Sequence, residues 1–183
     1  MIKTSFVFAA FIGAASAAGA GDWNYMKEGA DWGEDTDLCA FGKEQSPIDL
    51  SSAVALRSDK LSLSGYGYKN LATAKASTNA NGVTVNTPAD NGTLRLNFHD
   101  GSHGNFSMAQ FHWHAPSEHT VDQKHYDLEM HMVHTYENDG TQYGAVIGIF
   151  FDRQAGGNYD NPLLTEVHKS TFAIGDTPIS GGV

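Results

Sequence analysis

Six of the chain's nine histidines fall between Gln110 and His134, and their spacing limits what the chain can fold into more than any other feature. Side chains alternate between the faces of an extended strand, so residues two apart share a face. Gln110, His112 and His114 therefore point one way, and Glu129, His131 and Val133 form a second such set. If the two strands pair antiparallel, three imidazoles converge on one face of a sheet. A single histidine on a strand is ordinarily a surface or hydrogen-bonded residue. A His-x-His pair flanked by Ala109, Phe111 and Trp113 is different, because burying imidazoles without partners leaves polar atoms unsatisfied. Three histidines with an open fourth position are the ligand set of a catalytic zinc site.

A metal-bound imidazole also needs an acceptor at its other ring nitrogen, which fixes tautomer and orientation. Gln110 shares a face with His112 and can offer an amide oxygen. Glu129 shares a face with His131 and can offer a carboxylate, while His114 is expected to use a backbone carbonyl. His99, His103, His125, His134 and His168 sit at turns, on the opposite strand face or on a helix, and read as non-ligands. His119, directly after Glu118, reads as structural.

The rest of the chain predicts a mainly β (α+β) fold: a single domain on a central twisted, mostly antiparallel sheet with short peripheral helices, incomplete at the C-terminus. Residues 61–64, 82–85, 94–98 and 145–151 read as strands, punctuated by the turn pairs Asn81-Gly82, Asn91-Gly92 and Asp100-Gly101 and by a turn over residues 137–140. The parity of Gln110, His112 and His114 is expected to run back unbroken through Met108 and Phe106. Trp23, Tyr25 and Trp32 lie in an irregular N-terminal stretch that should pack down onto the sheet, and Gln45 to Leu50 reads as extended around Pro47. Asn161-Pro162 looks like a helix start, with Asn as cap and Pro in first position. The tail from Ser170 onward reads as lacking structure of its own.

An apolar run from Phe6 to Ala15 after Lys3, ending in Ala15-Ser16-Ala17, reads as a secretory signal peptide over residues 1–18, with residues 19–183 as the domain. The run is too short to span a membrane. This implies a secreted or extracytoplasmic location, in the periplasm, at the cell surface or in a lumen. A net charge of −10 argues against nucleic acid as a partner, since phosphate binding needs basic patches. Asn91 and Asn105 head glycosylation sequons in a eukaryotic host. The single cysteine, Cys39, suggests an intermolecular disulfide, a free thiol, or a partner outside this sequence.

The blocks Gln110-Phe111-His112-Trp113-His114, Ser117-Glu118-His119-Thr120 and Leu128-Glu129-Met130-His131-Met132-Val133-His134 resemble the alpha-class carbonic anhydrases. So do Trp23-x-Tyr25, Trp32, the run from Gln45 to Asp49, and Val146-x-Gly148, so that the likeness spans about Asp22 to Val167. The resemblance implies Zn2+ on His112, His114 and His131, and reversible hydration of carbon dioxide to bicarbonate and a proton by a zinc-bound hydroxide. It further implies that Val133 and Val146 form the apolar wall for carbon dioxide. Glu118 would orient a threonine hydroxyl, and Tyr25 would join the solvent network.

Two departures bear on rate. Where many members carry a proton-shuttling histidine, after Asn-Gly, this chain has Val83, which implies slower turnover. Members also continue through a Leu-Thr-Thr-Pro-Pro type segment that carries the threonine and, in many secreted members, the cysteine that bridges to the position of Cys39. Thr177-Pro178 is the nearest echo, and the chain reads as C-terminally truncated. Two further readings stand beside the zinc lyase. One is a catalytically weak or inactive zinc-binding module of the same family. The other is a cupin-type metalloenzyme, because His112-x-His114 is followed after three residues by Glu118.

Overall fold

The structure, a computed structural model, describes residues 3–7, 13–14, 40–43, 45–50, 61–68, 74–79, 82–88, 91–98, 101–153, 161–169 and 175–178. Tyr25 and Cys39, like Trp23, Trp32 and most of the expected leader, lie outside the described residues. The described strands are β1 (Lys3–Val7), β2 (Gly13–Ala14), β3 (Asp49–Leu50), β4 (Leu61–Tyr66), β5 (Lys75–Asn79), β6 (Gly82–Asn86) and β7 (Thr93–Phe98). They continue with β8 (His103–His114), β9 (Thr120–Val121), β10 (Lys124–His125), β11 (Leu128–Asn138) and β12 (Thr141–Asp152), then helix α1 (Pro162–Lys169) and β13 (Gly175–Pro178).

Ten strands form one sheet, whose main path runs β1-β12-β11-β8-β6-β5-β13, with β7 carrying β4 onto the other part of β8. Its pairings are antiparallel throughout. A small second sheet, β10-β9-β3, includes the one parallel pairing among the described residues, β3 with β9. The turn between β11 and β12 is made by Asp139 and Gly140, at φ of 49° and 74°. Left-handed φ at both central residues is what a two-residue hairpin requires, and it closes directly on the pair Asn138 and Thr141. Within the stretch read as a leader, Lys3–Val7 lies along the outer edge of β12, from Asp152 to Gly148.

Strand β8 corrects the expected parity. Gln110 pairs with Val133 and Met108 with His134, so Ala109 is an extra residue on β8. Such a bulge flips the alternation. Phe106 and Met108 consequently point to the same side as Phe111 and are buried there, while Gln110, His112 and His114 occupy the opposite face. The bulge falls where β8 changes neighbour, from β6 along residues 110–112 to β7 along residues 103–107. Thr87 stitches the gap: its N–H donates to Ala109 O at 3.0 Å and its hydroxyl to Met108 O at 3.1 Å.

The apolar side of the sheet is buried in two clusters. Val85, Met108, Phe111, Met130 and Phe151 pack under Leu163, Leu164 and Val167 of α1, and Leu94, Leu96, Phe106 and Ala145 form the second. The cap of α1 is as expected, with Asn161 Oδ1 accepting from the N–H groups of Leu163 and Leu164 at 3.0 and 3.2 Å. The tail is not without structure: Gly175–Pro178 pairs with β5 as an edge strand. Neither partner carries an apolar alternation that would reveal it, so backbone pairing alone defines the pair. Asn91 is buried at 3% exposure, which leaves no room for a glycan there, whereas Asn105 is exposed.

His134, fully buried on this side, has its Nδ1 3.0 Å from Met132 O and its Nε2 3.0 Å from the Tyr68 hydroxyl. Burial lowers its pKa and raises that of Tyr68. With Nδ1–H donating to the carbonyl, Nε2 accepts the Tyr68 proton. That bond clamps the Tyr68 ring over Gly92, whose φ is 121° and where an added Cβ would stand 2.3 Å from the ring. Gly92→Ala should therefore destabilise the fold by about 1–3 kcal/mol through strain and collision together. An unchanged urea midpoint would show that Tyr68 moves aside freely.

Candidate metal centre

Register brings the ligand candidates together. His131 on β11 is the direct cross-strand partner of His112 on β8, with Glu129 opposite His114 and Val133 opposite Gln110. The three imidazole centroids are 4.8 Å (His112 to His114), 5.2 Å (His112 to His131) and 4.8 Å (His114 to His131) apart. One nitrogen from each lies within 4.8 Å of the other two. On the next strand, Val146 and Gly148 stand opposite Val133 and His131, so the imidazole cluster is bordered by a small apolar strip.

Each ring has its second nitrogen engaged. His112 Nδ1 donates to Gln110 Oε1 at 2.9 Å, which leaves Nε2 to the centre. His131 Nε2 is 2.9 Å from Glu129 Oε1 but off the ideal N–H line, so proximity and charge hold this pair more than a linear hydrogen bond does. His114 differs from expectation: a side chain, not a backbone carbonyl, stands beside it, with Glu118 Oε1 3.4 Å from Nδ1. The other Glu118 oxygen is 3.8 Å from His131 Nδ1, so one carboxylate faces two of the three rings.

The electrostatics favour neutral imidazoles. Burial first, then repulsion from neighbouring histidines, lowers His112 and His114 to about 4. Burial alone would raise Glu129, but hydrogen bonds from the side chains of His119 and His131 and the backbone of His119 outweigh it and hold the carboxyl at about 2. Neutral nitrogen donors from His112 and His114, with the His131 ring beside them and carboxylates behind, suit a divalent borderline-soft cation such as zinc.

A sequence profile for eukaryotic-type carbonic anhydrase matches residues 27–175. The chain belongs to that family. It is 34% identical over 147 residues to alpha carbonic anhydrase 4 of Arabidopsis thaliana, covering 80% of this chain and 49% of the relative. The halotolerant carbonic anhydrase of Dunaliella salina superposes with a TM-score of 0.68 at 25% identity, over 89% of this chain and 70% of that one. The Thermovibrio ammonificans alpha-carbonic anhydrase, solved with the inhibitor sulfanilamide, does so at 0.58 with 32% identity, over 81% and 62%. This chain spans about half the length of the curated relatives it matches. Family and fold set aside the cupin reading.

Three site-side features were not legible as such. His119 does more than structural filling: its Nδ1 donates to Glu129 Oε1 at 2.8 Å and its backbone N–H to Oε2 at 2.9 Å. Adjacency to Glu118 was the only sequence signal, and it carries no hint of Glu129. Thr84, not Val83, is the β6 residue paired with His112, while Val83 packs against the core. Ser46, 73 residues from His119 in sequence, meets its ring at 3.2 Å.

The shifts fix a pH response for the metal-free protein. Unfolded imidazoles take up protons near pH 6.5, whereas His112 and His114 resist until about pH 4. The unfolded state then binds more protons in that window, so stability falls as pH drops through it. Glu129, at about 2 against an ordinary 4.5, extends the loss from pH 4.5 downward. Thermal melts of chelator-treated protein should be flat above about pH 6.5 and decline below it. A midpoint that stays constant between 6.5 and 4 would mean that the rings protonate without penalty.

Proposed function

We propose that the chain binds Zn2+ through His112, His114 and His131 and catalyses the reversible hydration of carbon dioxide to bicarbonate. The observation that carries this is the convergence of three imidazoles whose other nitrogens face Gln110, Glu118 and Glu129. A zinc ion held there supplies Lewis-acid activation of water toward carbon dioxide. The protein's own part is positional. Gln110 holds His112 with Nε2 inward, and Glu129 holds His131 with Nδ1 inward. Val133 and Val146 offer an apolar strip where an uncharged, apolar substrate loses little by leaving water. Glu118 stands as an acidic acceptor beside His114 and His131, and by the family resemblance it would orient a threonine hydroxyl.

Val83 supplies no imidazole and faces the core, so proton release passes to buffer, and turnover should rise with buffer concentration. Tyr25 would join the solvent network. The leader pattern supports a secreted or extracytoplasmic location; no helix among the described residues is long and apolar enough to cross a membrane. With one cysteine in the sequence, a disulfide at Cys39 would join it to a cysteine outside this sequence, on another molecule or elsewhere in a longer chain.

The purified chain should hold about one zinc, and His131→Ala should lose it. Gln110→Ala should weaken zinc binding by about 10- to 100-fold, because it frees the His112 ring to turn. Stopped-flow carbon dioxide hydration, inhibited by sulfanilamide, tests the activity. Bound zinc with no rate above buffer would leave a zinc-binding module in place of an enzyme.

A further inference from the structure

The outer edge of β12 is covered by a segment that the chain is expected to lose. From Thr141 to Phe151 the strand carries no charge at neutral pH and no proline, and its ladder with β11 runs without a bulge. Proteins ordinarily interrupt long, unbroken edges of this kind, because their free N–H and C=O groups recruit another strand. Here the cover is backbone pairing from two pieces of the N-terminal stretch. β1 lies antiparallel along residues 148–152, and β2 meets Tyr143 and Gly144. Both fall within residues 1–18, so losing the leader removes every strand that pairs with this edge among the described residues.

A bare edge accepts extended chain, and charge and symmetry decide which chain fits. The net charge of −10 keeps copies apart in general, yet residues 141–151 contribute nothing to it. Joining β12 of one copy to the outermost strand β4 or β13 of another would leave a further edge open and propagate into a fibre. Joining β12 to β12 consumes the same edge in both copies and stops at two. We propose that β12, once residues 1–18 leave, pairs antiparallel with β12 of a second copy, and that β1 holds the unprocessed chain monomeric. The proposal rests on residues 1–18 acting as a leader.

Antiparallel pairing of identical strands places a two-fold axis perpendicular to the sheet. Both copies then turn the face that carries His112, His114 and His131 to the same side of one continuous sheet, so neither metal centre is covered by the other copy. While Lys3–Val7 occupies β12, a second copy has no access to the backbone of residues 148–152. The leader strand is thus an edge cap whose loss licenses assembly.

The test measures mass in solution by gel filtration with light scattering, first on the full chain and then on a chain carrying Thr4→Pro with Ser5→Pro. Proline removes the N–H that a ladder needs, so β1 should detach and the mass should double. Adding Gly144→Lys should return it to the monomer, because a lysine on an edge opposes strand pairing and an added Cβ at Gly144 meets nothing within 4 Å. An excess of a peptide with the sequence of residues 2–8 should do the same. A second measurement needs no proline: a protease site placed across residues 17–20 and cut in the folded full chain should yield the same dimer. A double-proline chain that keeps the parent's far-UV spectrum yet stays monomeric, a cut chain that stays monomeric, a dimer indifferent to Gly144→Lys, or a series of larger species would overturn the proposal. None of these readouts depends on the metal site or its substrate, and the proline variant bares the edge whether or not the leader is cleaved.

Discussion

The antiparallel register between β8 and β11 is the constraint on which the rest depends. With His131 opposite His112 and Glu129 opposite His114, two motifs separated by a loop become one surface. A slip of one residue would send His131 to the apolar side and leave Met130 or Met132 facing the rings. That slip is opposed from both sides, because β11 is locked to β12 by an eleven-residue ladder ending in a two-residue turn. Site geometry is thus a property of the sheet, and the loops contribute Glu118 and His119 to a frame already set.

Charge placement follows from that frame. Glu129 would be costly to bury alone, yet donors from two segments surround it and keep it ionised. Its permanent charge in turn fixes the orientation of two imidazoles. The rings of His112 and His114 remain neutral, because burial penalises their charged forms and each would have to ionise beside neighbouring histidines. Opposite protonation behaviour within a few ångströms comes from which groups have donors aimed at them and which have only neighbours of the same kind.

Much of this was legible in the sequence, for reasons that also explain the rest. The period-two spacing around His112 and His131 encodes a shared face, so the strands and ligand candidates could be read from the chain. The Asp139-Gly140 turn and the Asn161 cap are local chemistry and were equally readable. What escaped was non-local or aperiodic. The bulge at Ala109 carries no compositional mark; it exists because β8 must serve two neighbours in turn, and it shifted Phe106 and Met108 to the other face. Gly175–Pro178 is a strand only because β5 is there to pair with. His119 and Ser46 meet through a fold-level approach that spacing along the chain cannot encode, and Thr84 gained its place from strand pairing alone.

Glu129 also says something about portability. Because one carboxylate answers to His131 on its own strand and to His119 on a separate loop, the smallest piece that could be moved to another scaffold is larger than the three-histidine motif. A designer copying only His112, His114 and His131 would transfer ligands without the anion that orients them. Copying Glu129 as well, but not the 117–119 loop, would transfer a buried charge lacking two of its three donors. The inheritable unit is two strands and a loop, taken together.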